Sequence, residues 1–178
     1  FAVGRTQNTL YHLAKLEREN SIPTLPVYVD SPMAIDATEI YKQFNFDFDE
    51  EAKSILAQGN PLLRTKNCTF CQSVEDSKQL NSISGPHIII SASGMVTGGR
   101  ILHHMSRLLP IETTTVLFIG FQAKGSRGRL IQSGASEIKI FNRYIPIRAK
   151  TRSISTLSSH ADRNELVKWL TSCKGSPK

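Results

Sequence analysis

Apolar positions along this chain follow two rhythms: short unbroken runs, and longer stretches in which apolar residues recur every three or four positions. The second rhythm marks a helix with one buried face, and the first marks a strand buried on both faces. Residues 1–3 read as the end of a strand that Gly4 breaks, and 6–19 as a helix with Leu10, Leu13 and Leu16 on its apolar face. Residues 27–29 make a short strand. Asp30 or Ser31 then caps a helix with Pro32 in its first turn, running to about Phe44. Another helix starts near Asp49, where Glu50 and Glu51 suit the positive end of the helix dipole, and stops at Gly59. After a loop at 60–66, residues 67–72 alternate as a strand does. Ser73 then opens a capping box with Asp76, leading a helix to Ile83.

The second half repeats the scheme. Gly85 and Pro86 turn the chain into an Ile-rich buried strand at 87–91, and a glycine-rich loop leads to a helix at 100–109. A strand at 113–119 and a helix at 126–133 follow, then strands at 137–140 and 145–155 around a polar turn. The last element is an amphipathic helix at 162–173 with Leu166, Trp169 and Leu170 facing inward. Short apolar strands alternating with helices imply βαβ units, so the expected fold is α/β, a mainly parallel β-sheet flanked by helices. In such sheets function collects in loops beyond the carboxyl ends of strands. That rule selects residues 4–7, 30–33, 91–100 and 120–129, with 158–162 as a fifth.

Composition narrows the picture. The length of 178 residues suits one domain, or one with a short appendage. The chain begins at Phe1 rather than Met, without a signal-peptide pattern, and we expect an excised piece of a longer protein. No apolar run approaches the roughly 20 residues of a membrane span, so no membrane partner is expected. Three unevenly placed cysteines argue against a disulfide framework and for a reducing cytoplasm. Lys and Arg outnumber Asp and Glu by 22 to 15, giving a net charge of +7. Such an excess favours a polyanionic partner, because neutralising phosphates releases counterions; a simply basic, solvated surface is the other reading.

Four segments carry candidate chemistry. In Ser91-Ala-Ser-Gly-Met-Val-Thr-Gly-Gly-Arg100, Gly94, Gly98 and Gly99 let a ligand approach the backbone, and Ser91, Ser93 and Thr97 add hydroxyls before a helix N-terminus. It is neither a Walker A loop nor a dinucleotide fingerprint, and a tight glycine turn without a ligand explains it equally well. Phe121-Gln-Ala-Lys-Gly-Ser-Arg-Gly-Arg129 interleaves Lys124, Arg127 and Arg129 with glycines. Its place beside the first loop favours phosphate binding over a solvated basic turn. In Ser158-Ser-His-Ala-Asp162, His160 can bind metal or move a proton while Asp162 fixes its tautomer, or Asp162 only caps a helix. Cys68 and Cys71 point to opposite faces of a strand and read as core residues. We assign no chemistry to His12, His87, His103 or His104.

In this order, the segments resemble the β-CASP domain of bacterial and archaeal metallo-β-lactamase-fold RNA-processing hydrolases, relatives of the eukaryotic pre-mRNA 3′-end cleavage factors. The resemblance covers essentially the whole chain. It rests on Phe1-Ala-Val-Gly-Arg-Thr-Gln7, Val29-Asp-Ser-Pro-Met-Ala34, the loop 91–100, Val116-Leu-Phe-Ile-Gly-Phe-Gln122, Gly125-Ser-Arg-Gly-Arg129 and the block 158–162. Six modest blocks in one order are specific. The resemblance implies a β-CASP domain at 1–140 and, at 141–178, the start of a segment returning to the metallo-β-lactamase domain.

In that family the β-CASP domain closes over two zinc ions, and the Ser-x-His-x-Asp block is motif B. By resemblance, His160 donates a proton or stabilises the transition state, and Asp162 orients it. The H-x-H-x-D-H cluster, motif A and motif C do not occur in this chain. Zinc is therefore expected in the parent protein, with no metal ligands in this fragment and no activity of the fragment alone. The expected partners are RNA and the metallo-β-lactamase domain of the same polypeptide, with a homodimer left open. Arg5, Arg100, Lys124, Arg127 and Arg129 would hold phosphates, and Ser31, Ser91, Ser93 and Gly94 would add hydrogen bonds. The first reading is thus the RNA-binding, proton-donating part of a zinc-dependent ribonuclease. A stand-alone, non-catalytic nucleic-acid-binding module is the alternative, and a small nucleotide-binding protein ranks last.

Overall fold

The computed structural model describes residues 2–155 and 161–172. Three strands, β1 (Val27–Asp30), β2 (Cys68–Phe70) and β3 (Ile88–Ser91), form a parallel sheet in the order β2-β1-β3. Parallel neighbours need crossovers, and helices supply them. Between β1 and β2 run α2 (Pro32–Gln43) and α3 (Glu50–Ala57), and between β2 and β3 runs α4 (Val74–Gln79). α1 (Arg5–Arg18) precedes β1. The helix starts follow local chemistry. The Asp49 side chain accepts the Ala52 N–H at 2.8 Å, and Ser73 and Asp76 exchange side-chain-to-backbone bonds at 2.9 and 3.0 Å. Val27, Val29, Leu10, Ala34, Ile35 and Cys68 make the core of this half.

The second half holds two more pairs of strands. β4 (Thr115–Ile119) pairs in parallel with β7 (Lys150–Ile154). β5 (Glu137–Ile140) pairs antiparallel with β6 (Arg143–Pro146). Helix α5 (Ile101–Leu108) lies between β3 and β4, α6 (Arg127–Gln132) between β4 and β5, and α7 (Arg163–Ser172) closes the described chain. Phe141 and Asn142, both at positive φ (48° and 61°), form the two-residue β5–β6 turn, whose backbone twist matches that of the strands. Met105, Leu109, Val116, Phe118, Ile131 and Ile140 centre the second core. The fold is α/β with parallel pairing dominant, flanked by helices, as expected.

Four expectations need correction. Residues 2–4 are a turn rather than the end of a strand, and Phe1 lies outside the described residues. Leu16 is 37% exposed, and Ala14 takes its place in the core with Leu10. The strand expected at 145–155 is two strands in different sheets. The chain breaks between them because the N–H groups of Arg148 and Ala149 both donate to the Leu109 carbonyl, at 2.9 and 3.0 Å, instead of to a neighbouring strand. Leu166, Trp169 and Leu170 are exposed, not inward. Their spacing reports the composition of a helix face and says nothing about what lies against it. Among the described residues no helix is long and apolar enough to cross a membrane.

Leu109 is fully buried and its carbonyl receives the chain that links the two strand pairs. Leu109→Ala should cost about 2–5 kcal/mol. Urea denaturation checks this as a lowered midpoint with an unchanged slope.

Candidate nucleic-acid interface

The carboxyl ends of β1, β3 and β4 converge on one cleft of about 520 Å³. Ser31 and Met33 line it after β1, the glycine loop lines it after β3, and residues 119–122 line it at the end of β4. This is the crevice where parallel sheets bind ligands. A smaller depression between α1 and α3 is lined by the Lys15–Glu51 ion pair and lies away from the strand ends.

The glycine loop is shaped from within. The Ser93 hydroxyl accepts the N–H groups of Thr97 and Gly98, at 3.0 and 3.3 Å, and lies 3.0 Å from the Thr97 hydroxyl. Val96 sits at φ 57°, an uncommon conformation for a β-branched residue. Its side chain, 1% exposed, is buried in the second core and fixes the loop there. Gly99 has φ 80°, and a Cβ on it would lie 2.7 Å from the Ala92 carbonyl oxygen. Glycine is required there by both conformation and space. Across the cleft, Gln122 donates to the Gly94 carbonyl at 2.9 Å. A Cβ on Gly128 would collide with the carboxamide oxygen of Gln122, so Gly128 lets α6 approach the loop.

Beneath the loop lies a buried polar cluster that the sequence did not reveal. Asp30, fully buried at the end of β1, accepts from Arg100 at 2.7 Å on one oxygen, and from Ser77 and His104 at 2.6 Å each on the other. Arg100 also donates to the carbonyls of Cys71 and Gln72, both at 2.8 Å. Burial pushes the Asp30 carboxyl up, but the bonds from His104, Ser77 and Arg100 outweigh it and hold the group below the usual carboxylate range. Because the carboxylate only accepts, His104 Nε2 carries the hydrogen. Nδ1 is buried and unpaired among the described residues. One signal was available: Asp30 ends a strand, and Arg100 and His104 stand four apart on one helix face.

The candidate residues fall into three groups. Arg100 serves the Asp30 cluster with three bonds, and Arg5 is buried at 8% exposure with one terminal nitrogen unpaired. Ser91 donates to the Asp30 backbone carbonyl at 2.9 Å, and Arg127 donates to the carbonyl of Lys139 at 2.7 Å. These four are tied inward or buried. Ser31, Ser93 and Gly94 line the cleft, while Lys124 and Arg129 stand exposed on the neighbouring segment. Asp162 exchanges bonds with Glu165 at 2.7 and 2.8 Å and so caps α7. His160 lies outside the described residues. Ser31 occupies the cap position of α2, yet its side chain makes no cap bond, because the preceding Asp30 turns inward.

Cys68 and Cys71 are both buried and free. Burial raises both thiols, Cys71 to about 11 with help from the Asp30 charge. They are core groups, as expected, with no tendency to form a thiolate. Among the described residues no three His, Cys, Asp or Glu side chains meet as a metal site.

Residues 6–131 match the Beta-Casp domain, and residues 144–177 match the Zn-dependent metallo-hydrolase RNA specificity domain. The chain is 34% identical over 178 residues to Ribonuclease TTHA0252 of Thermus thermophilus, covering all of this chain and 40% of that protein. It is 34% identical over 184 residues to the transcription termination factor FttA of Methanocaldococcus jannaschii, covering 99% of this chain and 28% of that protein. An RNase J-like protein of the same organism is 33% identical over 171 residues, covering 96% of this chain and 38% of that protein. The chain thus spans well under half the length of these relatives.

Replacing Asp30 with Asn leaves Arg100 without its buried counter-charge. Asp30→Asn should cost about 3–5 kcal/mol at neutral pH. Because the native carboxyl titrates below its unfolded value of about 3.9, its contribution is complete above that pH and fades as pH falls through the native value. Urea midpoints of both proteins between pH 7 and 3 should converge on the acid side; a constant gap would refute the assignment.

Proposed function

This chain belongs to the Beta-Casp domain family, and we propose that it is the RNA-holding part of a metal-dependent RNA hydrolase. The observation that carries the reading is the cleft. Three strands from two sheets, β1, β3 and β4, deliver their carboxyl ends to one crevice, and its glycine loop presents backbone and hydroxyl groups. A second loop beside it carries the exposed cations Lys124 and Arg129. A basic chain with these groups at one edge suits a phosphate backbone, which needs several weak, water-exposed positive contacts rather than one deep pocket. Relatives named as a ribonuclease and a termination factor point to the same polymer.

The cations divide by task. Lys124 and Arg129 contact phosphates, while Arg100 sets the shape of the loop through Asp30. Arg127 bridges the glycine loop and β5, donating to Val96 as well as to Lys139. Asp162 caps α7. We assign His160 the proton that the leaving oxygen of a cleaved phosphodiester requires.

The described residues do not fit a zinc ion. Asp30 is sealed beneath the loop by three donors, Asp162 is engaged at a helix start, and no third ligand stands near either. In this proposal zinc belongs to the larger protein and is held by residues outside this chain, together with the metallo-β-lactamase domain that the cleft faces.

The test is electrostatic. In the full-length protein, Lys124→Ala and Arg129→Ala should each weaken single-stranded RNA binding. Each should also flatten the plot of log affinity against log salt by about 0.7. Unchanged affinity and slope in the double variant would remove phosphate binding from this loop.

A further inference from the structure

Phosphate contacts leave one feature of the cleft unexplained. Phe121, directly after β4, is 76% exposed, and Met33, at the start of α2, is 65% exposed. Both line the same cleft. A large aromatic ring standing in water at the lip of a crevice marks a surface that a ligand covers. Phe121 is also held in place. Gly120 turns the chain at φ 130°, and Gln122, 4% exposed, anchors the following residue to the Gly94 carbonyl. A ring on a fixed backbone loses little freedom when something stacks on it.

A second observation points to the same place. Ser31 lines the cleft, and its hydroxyl is not used to cap α2, so it remains available to whatever the cleft holds. A hydroxyl on a cleft wall can donate to or accept from the polar edge of a ligand lying there. A partner of this cleft therefore needs a flat apolar face, a polar edge, and an attached negative charge for the cations outside.

We infer that the cleft is a nucleobase subsite: one unpaired base of a bound RNA strand lies on the Phe121 ring, with Met33 and the Ser31 hydroxyl of the same cleft offered to its apolar surface and its polar edge. The volume of about 520 Å³ admits a single nucleoside. Stacking suits every base, because each has a π-face, so this contact grips single strands without selecting a sequence. The thioether of Met33 is a soft counter-surface that adapts to purine or pyrimidine. The inference rests on the RNA-holding reading above and specifies what the apolar part of that site takes.

The experiment separates base from backbone. The full-length protein is titrated with a single-stranded oligoribonucleotide and with an oligomer of equal length whose central nucleotides lack bases. Phe121→Ala should weaken binding of the first by about 5- to 150-fold and leave the second, and the salt slope of both, unchanged. Phe121→Trp should restore binding, with its emission quenched as the base stacks. If the parent protein binds both oligomers equally, or if Phe121→Ala weakens both alike, the base subsite is wrong while phosphate binding stands. Should Phe121→Ala leave RNA affinity intact and lower only the melting temperature, the ring packs against another part of the polypeptide and the inference fails. Loss of RNA binding altogether, with no response to Lys124→Ala or Arg129→Ala, would instead overturn the underlying reading.

Discussion

One buried carboxylate organises the end of the sheet where the cleft opens. Asp30 terminates β1, and its two oxygens hold Arg100 at the end of the glycine loop, Ser77 in α4 and His104 in α5. Through Arg100 it also reaches the carbonyls that follow β2. A charge buried this deeply is tolerated only when its lone pairs are matched by donors, so the arrangement admits few alternatives. Three segments distant in sequence, at 30, 71–77 and 100–104, are thereby brought together. The loop above them, with Ser93 folded onto its own backbone and Val96 driven into the second core, has little freedom left.

On the proposed function, that constraint explains why Arg100 would not serve RNA directly. An arginine that spends three of its five N–H donors on a buried aspartate and two carbonyls is held inward, and turning it to a phosphate would leave the charge beneath it unmatched. Binding groups on the rim instead come from backbone, hydroxyls and the exposed cations of the neighbouring loop. The division is economical in a physical sense. Interior charges, which are costly to desolvate, fix shape, and exterior charges, which remain hydrated, attract a polyanion whose phosphates are also hydrated.

Much of the fold was legible in the chain because its causes are local. The capping box at Ser73, the acidic start at Asp49, the Ile run of β3 and the glycines of the loop act over a few residues, and their spacing alone specifies them. Errors arose where distant partners intervened. The strand expected at 145–155 divides because Leu109 lies within reach of its middle. Leu16 yields its core place to Ala14, and the apolar face of α7 is exposed, because a helical stripe gives the direction of burial without its partner. Within the site, the cleft loops were found from their position after strands, whereas His104 carried no local sign of its role.

The sequence by itself determined the order of helices and strands, the parallel character of the sheet, the loops that border the cleft and the family to which they belong, since these depend on periodicity, turn residues and short motifs. Tertiary structure alone decided which polar side chains are spent inside and which remain at the surface. That choice depends on distances between residues far apart in the chain. Asp30 and Arg100 are 70 positions apart, yet they meet at 2.7 Å. Only that meeting makes Arg100 a support of the glycine loop.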